Sequence, residues 1–307
     1  MKSILTLFLL LLGWTVQSFA DDATPDGTIR PVGEVEKVAD GFSFTEGPAW
    51  DSKRGVLYFT DIKTNTIHVL GSDDKVSSLT SDSGTANGLI MTADGQLLGC
   101  QMEGQIAQFD PVTGNSEVYV AQHDGKRFNA PNDLVFDADG GVYFTDPHYR
   151  APDPWPQTVL AVYYADNSGT VTRVTGDLKV PNGVGLSPDG KHLYVGPSDQ
   201  AEMLVYDIDH PGKLSGERTF CTLKQPEGAT KITGADGLTL DQDGNVYITS
   251  SLGVQIFSSA GKPVGLIEFP EQPSNVTFAG ADLKTLYATA RTGLYRVEMP
   301  IAGLPSF

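Results

Sequence analysis

Residues 131–146 read Pro131-Asn132-Asp133-Leu134-Val135-Phe136-Asp137-Ala138-Asp139-Gly140-Gly141-Val142-Tyr143-Phe144-Thr145-Asp146. A polar residue, Asn132, opens a short apolar run. A turn at Asp139-Gly140 follows, and a second apolar run ends on Asp146. Two apolar runs joined through Asp-Gly make a β-hairpin signal. The same register recurs along the chain: Glu46 stands seven residues before Lys53, Asn87 before Asp94, Asn182 before Asp189, Asp236 before Asp243 and Asn275 before Asp282. After these turns come the runs VLYFTD, QLLGC, HLYVGPSD, NVYITS and TLYATA.

The turn positions are separated by 41, 45, 50, 54 and 39 residues, the length of a four-stranded propeller blade. Between them lie only short strands bounded by Gly, Asn and Asp, such as TIHVL and KVSSLT after the first hairpin. No stretch of about twelve residues sustains a helical period. The expected fold is therefore all-β, a six-bladed β-propeller with a central metal site. A β-helix, the main rival, has shorter and more uniform repeats.

In a propeller the six register residues start the inner strands and converge on one point. Asn and Asp are poor strand formers, so their placement needs a reason. Turn chemistry is one: Asn87-Gly88, Asn182-Gly183 and Asp236-Gly237 suit tight turns. It does not cover Glu46, Asn132 or Asn275, which favours a shared polar centre. Carboxylate and amide oxygens are what calcium takes. With no His or Cys at the six positions, zinc and copper are disfavoured, and magnesium prefers fewer protein ligands.

The chain has 307 residues and a formal charge of -17, which becomes -18 if Lys2 is removed with a leader. Residues 1–20 carry the marks of one: Lys2, the apolar run Ile4 to Leu12, and Ser18-Phe19-Ala20 as a small-x-small cleavage site. An uncleaved anchor is the alternative. The expectation is a signal peptide at 1–20, a polar surface segment at 21–31 and one propeller domain at 32–307, in the periplasm or secreted. The acidic balance, with scattered Lys and Arg, disfavours nucleic acid and anionic membrane surfaces as partners. It suits a cation or a neutral small molecule. Cys100 and Cys221 are open to two readings, a disulfide or two buried thiols.

Several motifs resemble the gluconolactonase/regucalcin (senescence-marker-protein-like) family. They are Phe44-Thr45-Glu46-Gly47-Pro48-Ala49-Trp50, Asn129-Ala130-Pro131-Asn132-Asp133-Leu134, Tyr143-Phe144-Thr145-Asp146-Pro147, Pro181-Asn182-Gly183-Val184 and Ala235-Asp236-Gly237-Leu238. The resemblance runs from about Val32 to Val297. It implies a propeller with a divalent cation at the channel mouth and hydrolysis of sugar lactones. By motif, Glu46, Asn182 and Asp236 are the implied core ligands. Asn132 matches a fourth ligand of the wider group that includes paraoxonases and diisopropyl fluorophosphatase. Asn87 and Asn275 have no ligand counterpart and are expected to hold the ligands by hydrogen bonds.

In the implied chemistry the lactone carbonyl is polarised by the cation and a carboxylate, Asp236, takes the proton of the attacking water. Plain ligation is the other role open to Asp236. Arg127 and Asn129 match an Arg-x-Asn pair that the family uses to grip substrate. His148 departs from the family pattern and is a further candidate for substrate contact. The Asn275-Val276-Thr277 triplet, a formal glycosylation acceptor, reads as chance. Two rival functions remain at this level: a phosphotriesterase or arylesterase with the same cation, and a non-catalytic binding propeller with a structural metal.

Overall fold

The structure is a computed structural model that describes residues 27–305; the leader read at 1–20 lies outside them. The described residues form six four-stranded antiparallel sheets and one additional two-stranded ribbon. Blade 1 contains Thr45–Asp51, Val56–Asp61, Thr66–Leu70 and Val76–Thr80. Blades 2 to 5 open on the inner strands Ala86–Met91, Leu134–Phe136, Pro181–Leu186 and Leu238–Leu240 and continue outward in chain order. Blade 6 is built from Pro273–Ala279, Thr285–Ala290 and Gly293–Glu298, and its fourth, outermost strand is Glu36–Asp40 from the start of the domain. That pairing ties the two ends of the chain together. Every inner strand packs on the next, and the first packs on the sixth, so the ring is closed. The only helical element among the described residues is the single turn Ile62–Thr64.

The core is divided among the blade interfaces. Each of six apolar clusters takes its residues from two neighbouring blades. This explains why the second strands read as unbroken apolar runs. In Val56–Asp61, Leu57 and Phe59 face blade 6 while Tyr58 faces blade 2. In Val142–Asp146, Val142 and Phe144 join the cluster with blade 2 and Tyr143 the one with blade 4. Side chains of a strand alternate between faces, and here both faces are buried, so both must be apolar.

The packing corrects one expectation and decides between two open readings. The segment before residue 32 is not simply draped over the surface: Ile29 is buried in the cluster between blades 5 and 6, and its N–H donates to the Val264 carbonyl at 2.7 Å. Burial of one isoleucine there stabilises by roughly 1.5–3 kcal/mol, enough to seat a short polar segment. Cys100 and Cys221 sit in different interfaces, between blades 2 and 3 and between blades 4 and 5, and both are free thiols.

Candidate active site

Each register residue sits where its inner strand carries one residue too many against the second strand. The pairing skips between Glu46 and Ala49, Ala86 and Leu89, Pro181 and Val184, and Pro273 and Asn275. Asn132 and Asp236 sit at the same kind of step. Their N–H groups donate to Thr145 and Thr249 carbonyls, just beyond the paired residues Leu134 and Leu238. Bulges of this kind re-aim side chains and end regular pairing, which is how a residue unsuited to strands is held at a strand's start.

The glycine after the register residue has a different task from the one turn chemistry assigns. Gly88, Gly183 and Gly237 are not in left-handed conformations, and none lies in a tight turn. A Cβ on Gly183 would stand 2.4 Å from the Asp236 carbonyl oxygen, and one on Gly88 2.7 Å from that of Asn132. The Gly88 and Gly183 N–H groups donate to those same carbonyls at 2.8 and 2.9 Å. These glycines are the points at which neighbouring inner strands touch. Threonines of the second strands add a second link: Thr60 Oγ1 donates to the Asn87 carbonyl and Thr145 Oγ1 to that of Asn182.

The ring thus assembled is polar and crowded. Asn182 Nδ2 donates to Asp236 Oδ1 at 2.7 Å, to Ser198 Oγ at 3.1 Å and to the Tyr149 hydroxyl at 3.2 Å. All these bonds run through Nδ2, so Asn182 Oδ1 is left open as an acceptor. The carboxyls of Glu46 and Asp236 sit close enough to act on one another's protonation. Burial, with the charge of Asp236 beside it, holds the Glu46 carboxyl well above the usual carboxylate range. Burial also raises Asp236 to about 6, against the pull of the Asn182 bond and the charge of Arg291. Asp133, next to Asn132, is pushed up to about 7 by burial. The Asn275 amide sits close enough to Glu46 and Asp133 to pull both carboxyls down, against the effect of burial. Asn275 is itself buried, so the triplet it begins is no glycan acceptor.

Among the described residues no three His, Cys, Asp or Glu side chains form a metal cluster of their own. The donor set here is mixed: the carboxylates Glu46 and Asp236, the open amide oxygen of Asn182, and Asn132 buried on the adjoining blade. Two buried carboxyls brought this close repel when both are ionised. A divalent cation taking oxygen ligands resolves that repulsion, so the residues fit calcium.

Other candidates take places that sequence did not show. Asn129 is fully buried, and both ends of its amide are engaged: Nδ2 donates to the Val159 carbonyl and Oδ1 accepts from Gln157 N. In this geometry it staples two loops together and is not free to grip a ligand. Arg127 is exposed, with its guanidinium folded back onto the carbonyls of Phe128 and Asn129. The His148 ring stacks on Trp155 at 4.7 Å between centroids, and its Nδ1 is buried without a partner. Asn87 makes no hydrogen bond to Glu46, Asn132, Asn182 or Asp236, so the ligand-holding role expected of it is absent. Its one side-chain contact of this kind is Nδ2 to Met102 Sδ at 4.0 Å.

Tyr149, Ser198 and Asp133 were not singled out from sequence, and neither were two aspartates with a repeated task. Asp61 accepts the N–H groups of Ser43 and Phe44, and Asp146 those of Asn129 and Ala130. In each blade the acceptor clamps the backbone two and three residues before Glu46 or Asn132. The signal was the shared Phe-Thr-Asp ending of both second strands. Replacing Asp146 by Ala would orphan two buried N–H groups, and we expect a loss of about 2–4 kcal/mol in urea unfolding. A loss below that of the exposed Asp40→Ala would remove Asp146 from this role.

A cavity of about 380 Å³ lies along the inner strands beyond the ring, lined by Leu89, Leu134, Val184, Leu238 and Phe278, with Asp133 and Asn275 also on its wall. Its lining is mostly apolar, whereas carboxylates and amides converge in the ring, which is the better place for the chemistry.

The profile of the SMP-30/Gluconolactonase/LRE-like region matches residues 44–292. A gluconolactonase of Zymomonas mobilis is 30% identical over 88% of this chain and 82% of its own. The pentonolactonase XacC of Haloferax volcanii is 25% identical over 85% and 93%. Among solved structures, a gluconolactonase of Xanthomonas campestris superposes with a TM-score of 0.80 at 28% identity, covering 89% of this chain and 94% of that one. The chain belongs to the SMP-30/gluconolactonase/LRE-like family.

Proposed function

We propose that this protein is a divalent-cation-dependent hydrolase of sugar lactones, with calcium as the cation. The observation that carries the reading is the meeting of Glu46, Asn182 and Asp236, from blades 1, 4 and 5, in one buried ring. Relatives named for gluconolactone and pentonolactone hydrolysis supply the substrate class.

A bound cation would supply a Lewis acid for the lactone carbonyl. Glu46, Asn132, Asn182 and Asp236 would hold it. Tyr149 and Ser198 fix the Asn182 amide through its Nδ2, which keeps Oδ1 turned to the ring. Asp236 receives the proton of the attacking water on a carboxylate oxygen. Water oxygen bonds to the carbonyl carbon, the ring C–O bond breaks, and the proton held on Asp236 passes to the departing ring oxygen. The products are a carboxylic acid and a hydroxyl group, and Asp236 is again a carboxylate. Tyr149, 45% exposed on the loop after Asp146 and in contact with Asn182 through its hydroxyl, offers an aromatic ring beside the site for a sugar to pack on.

The test is direct. Purified protein is expected to open an aldonolactone, followed by acid release, to lose turnover in a chelator and to regain it with calcium. Turnover that ignores the chelator would overturn the cation dependence. A cation-loaded protein inert toward a panel of lactones and aryl esters would overturn the hydrolase reading.

A further inference from the structure

Asn87 is 4% exposed, and its Oδ1 is one of three buried side-chain polar atoms without a partner among the described residues. The others, Trp50 Nε1 and His148 Nδ1, belong to side chains outside the ring of register residues. Asn87 is inside it. Its backbone is pinned on both sides: a Cβ on Gly47 would meet the Asn87 carbonyl oxygen at 2.0 Å, and Gly88 N donates to the Asn132 carbonyl at 2.8 Å. Thr60 Oγ1 donates to the same Asn87 carbonyl at 3.0 Å. The residue is therefore held between Glu46 and Asn132, two of the proposed cation holders, at the position in blade 2 that those two occupy in blades 1 and 3.

A buried amide with no acceptor bond and a lone 4.0 Å contact to sulfur loses its hydration without repayment. Leucine has nearly the same size, suits a strand better and carries no such cost. An asparagine retained here needs a partner that is not a protein atom.

We propose that Asn87 Oδ1 is a further donor to the cation held by the ring, so that blade 2 contributes a ligand alongside blades 1, 3, 4 and 5. The inference rests on the cation reading above. It differs from it in assigning direct contact to a residue whose geometry offers no hydrogen bond to any other ligand. A neutral amide oxygen suits the place, because a third carboxylate near Glu46 and Asp236 would add repulsion before the cation arrives.

Calcium titration of the full chain by calorimetry, together with thermal melts with and without calcium, tests this apart from activity. Asn87→Leu is expected to bind calcium about tenfold or more weakly than the parent. Without calcium it should melt no lower than the parent, because an unpaired polar group has gone. Its calcium-induced rise in Tm should shrink accordingly. Asn87→Asp, which keeps an oxygen donor, should retain binding and guards against a fold defect peculiar to leucine. Equal calcium affinity in parent and Asn87→Leu would overturn the assignment, leaving Asn87 on a water or a substrate hydroxyl. A parent that binds no divalent cation would overturn both this inference and the reading it rests on.

Discussion

Asp236→Asn is expected to lower kcat on an aldonolactone by about a thousandfold at saturating calcium, roughly 4 kcal/mol of barrier. Two effects contribute, and the geometry separates them. Asn182 Nδ2 donates to Asp236 Oδ1 at 2.7 Å, so an amide introduced at 236 must turn its oxygen toward Asn182. Its NH2 then faces the cation, and calcium affinity falls. Saturating calcium refills the site, and what remains is the loss of a carboxylate able to take a proton. Glu46→Gln is the control. It removes a buried carboxyl of the same ring, whose Oε2 accepts the Gly47 N–H at 2.9 Å, and no base role is assigned to it. It should weaken calcium binding yet recover more of kcat when calcium is saturating. If Asp236→Asn at saturating calcium turns over within tenfold of the parent, Asp236 is a ligand only and the base lies elsewhere.

The architecture was legible because repetition exposes it. Six hairpins in one register, at blade-length intervals, leave few ways to close an all-strand chain, and VLYFTD and TLYATA fall on the strands Val56–Asp61 and Thr285–Ala290. The same register marks six polar positions, among which the motifs shared with the family single out Glu46, Asn182 and Asp236. What it could not show is what each polar atom touches. Asn129 and Asn132 look alike in sequence, yet the amide of the first is spent on the backbone of residues 157–159. Asn87 and Asn275 hold equivalent positions, and only the second lowers the carboxyls beside it. Asp133 was masked by its neighbour Asn132, and Tyr149 by a loop whose path no periodicity encodes. Its hydroxyl meets Asn182 from 33 residues away. Ile29 was missed for a related reason, since a single apolar residue in a polar segment carries no pattern.

The close approach of inner strands makes the second large prediction. Gly183→Ala would place a methyl group 2.4 Å from the Asp236 carbonyl oxygen and 3.1 Å from the Gly237 backbone. Neither contact is with a side chain that can swing away. Relief requires blades 4 and 5 to part, which also stretches the 2.9 Å bond from Gly183 N to that carbonyl. Overpacking of this kind costs about 1–3 kcal/mol, and the strained hydrogen bond adds about 1 kcal/mol. We therefore expect Gly183→Ala to lose about 3 kcal/mol in urea unfolding and to bind calcium far more weakly, because Asn182 and Asp236 are held by the strands that move apart. Gly190→Ala supplies the comparison. Gly190 has a φ of +68° in the hairpin turn of the same blade, and nothing lies within 4 Å of its would-be Cβ. Only the conformational cost of about 1 kcal/mol applies there, with calcium affinity unchanged. If Gly183→Ala is as stable as Gly190→Ala and binds calcium like the parent, contact between inner strands does not set the spacing of the ring. The pairing of Asn182 with Asp236 would then have to be fixed by the loops that carry Tyr149 and Ser198.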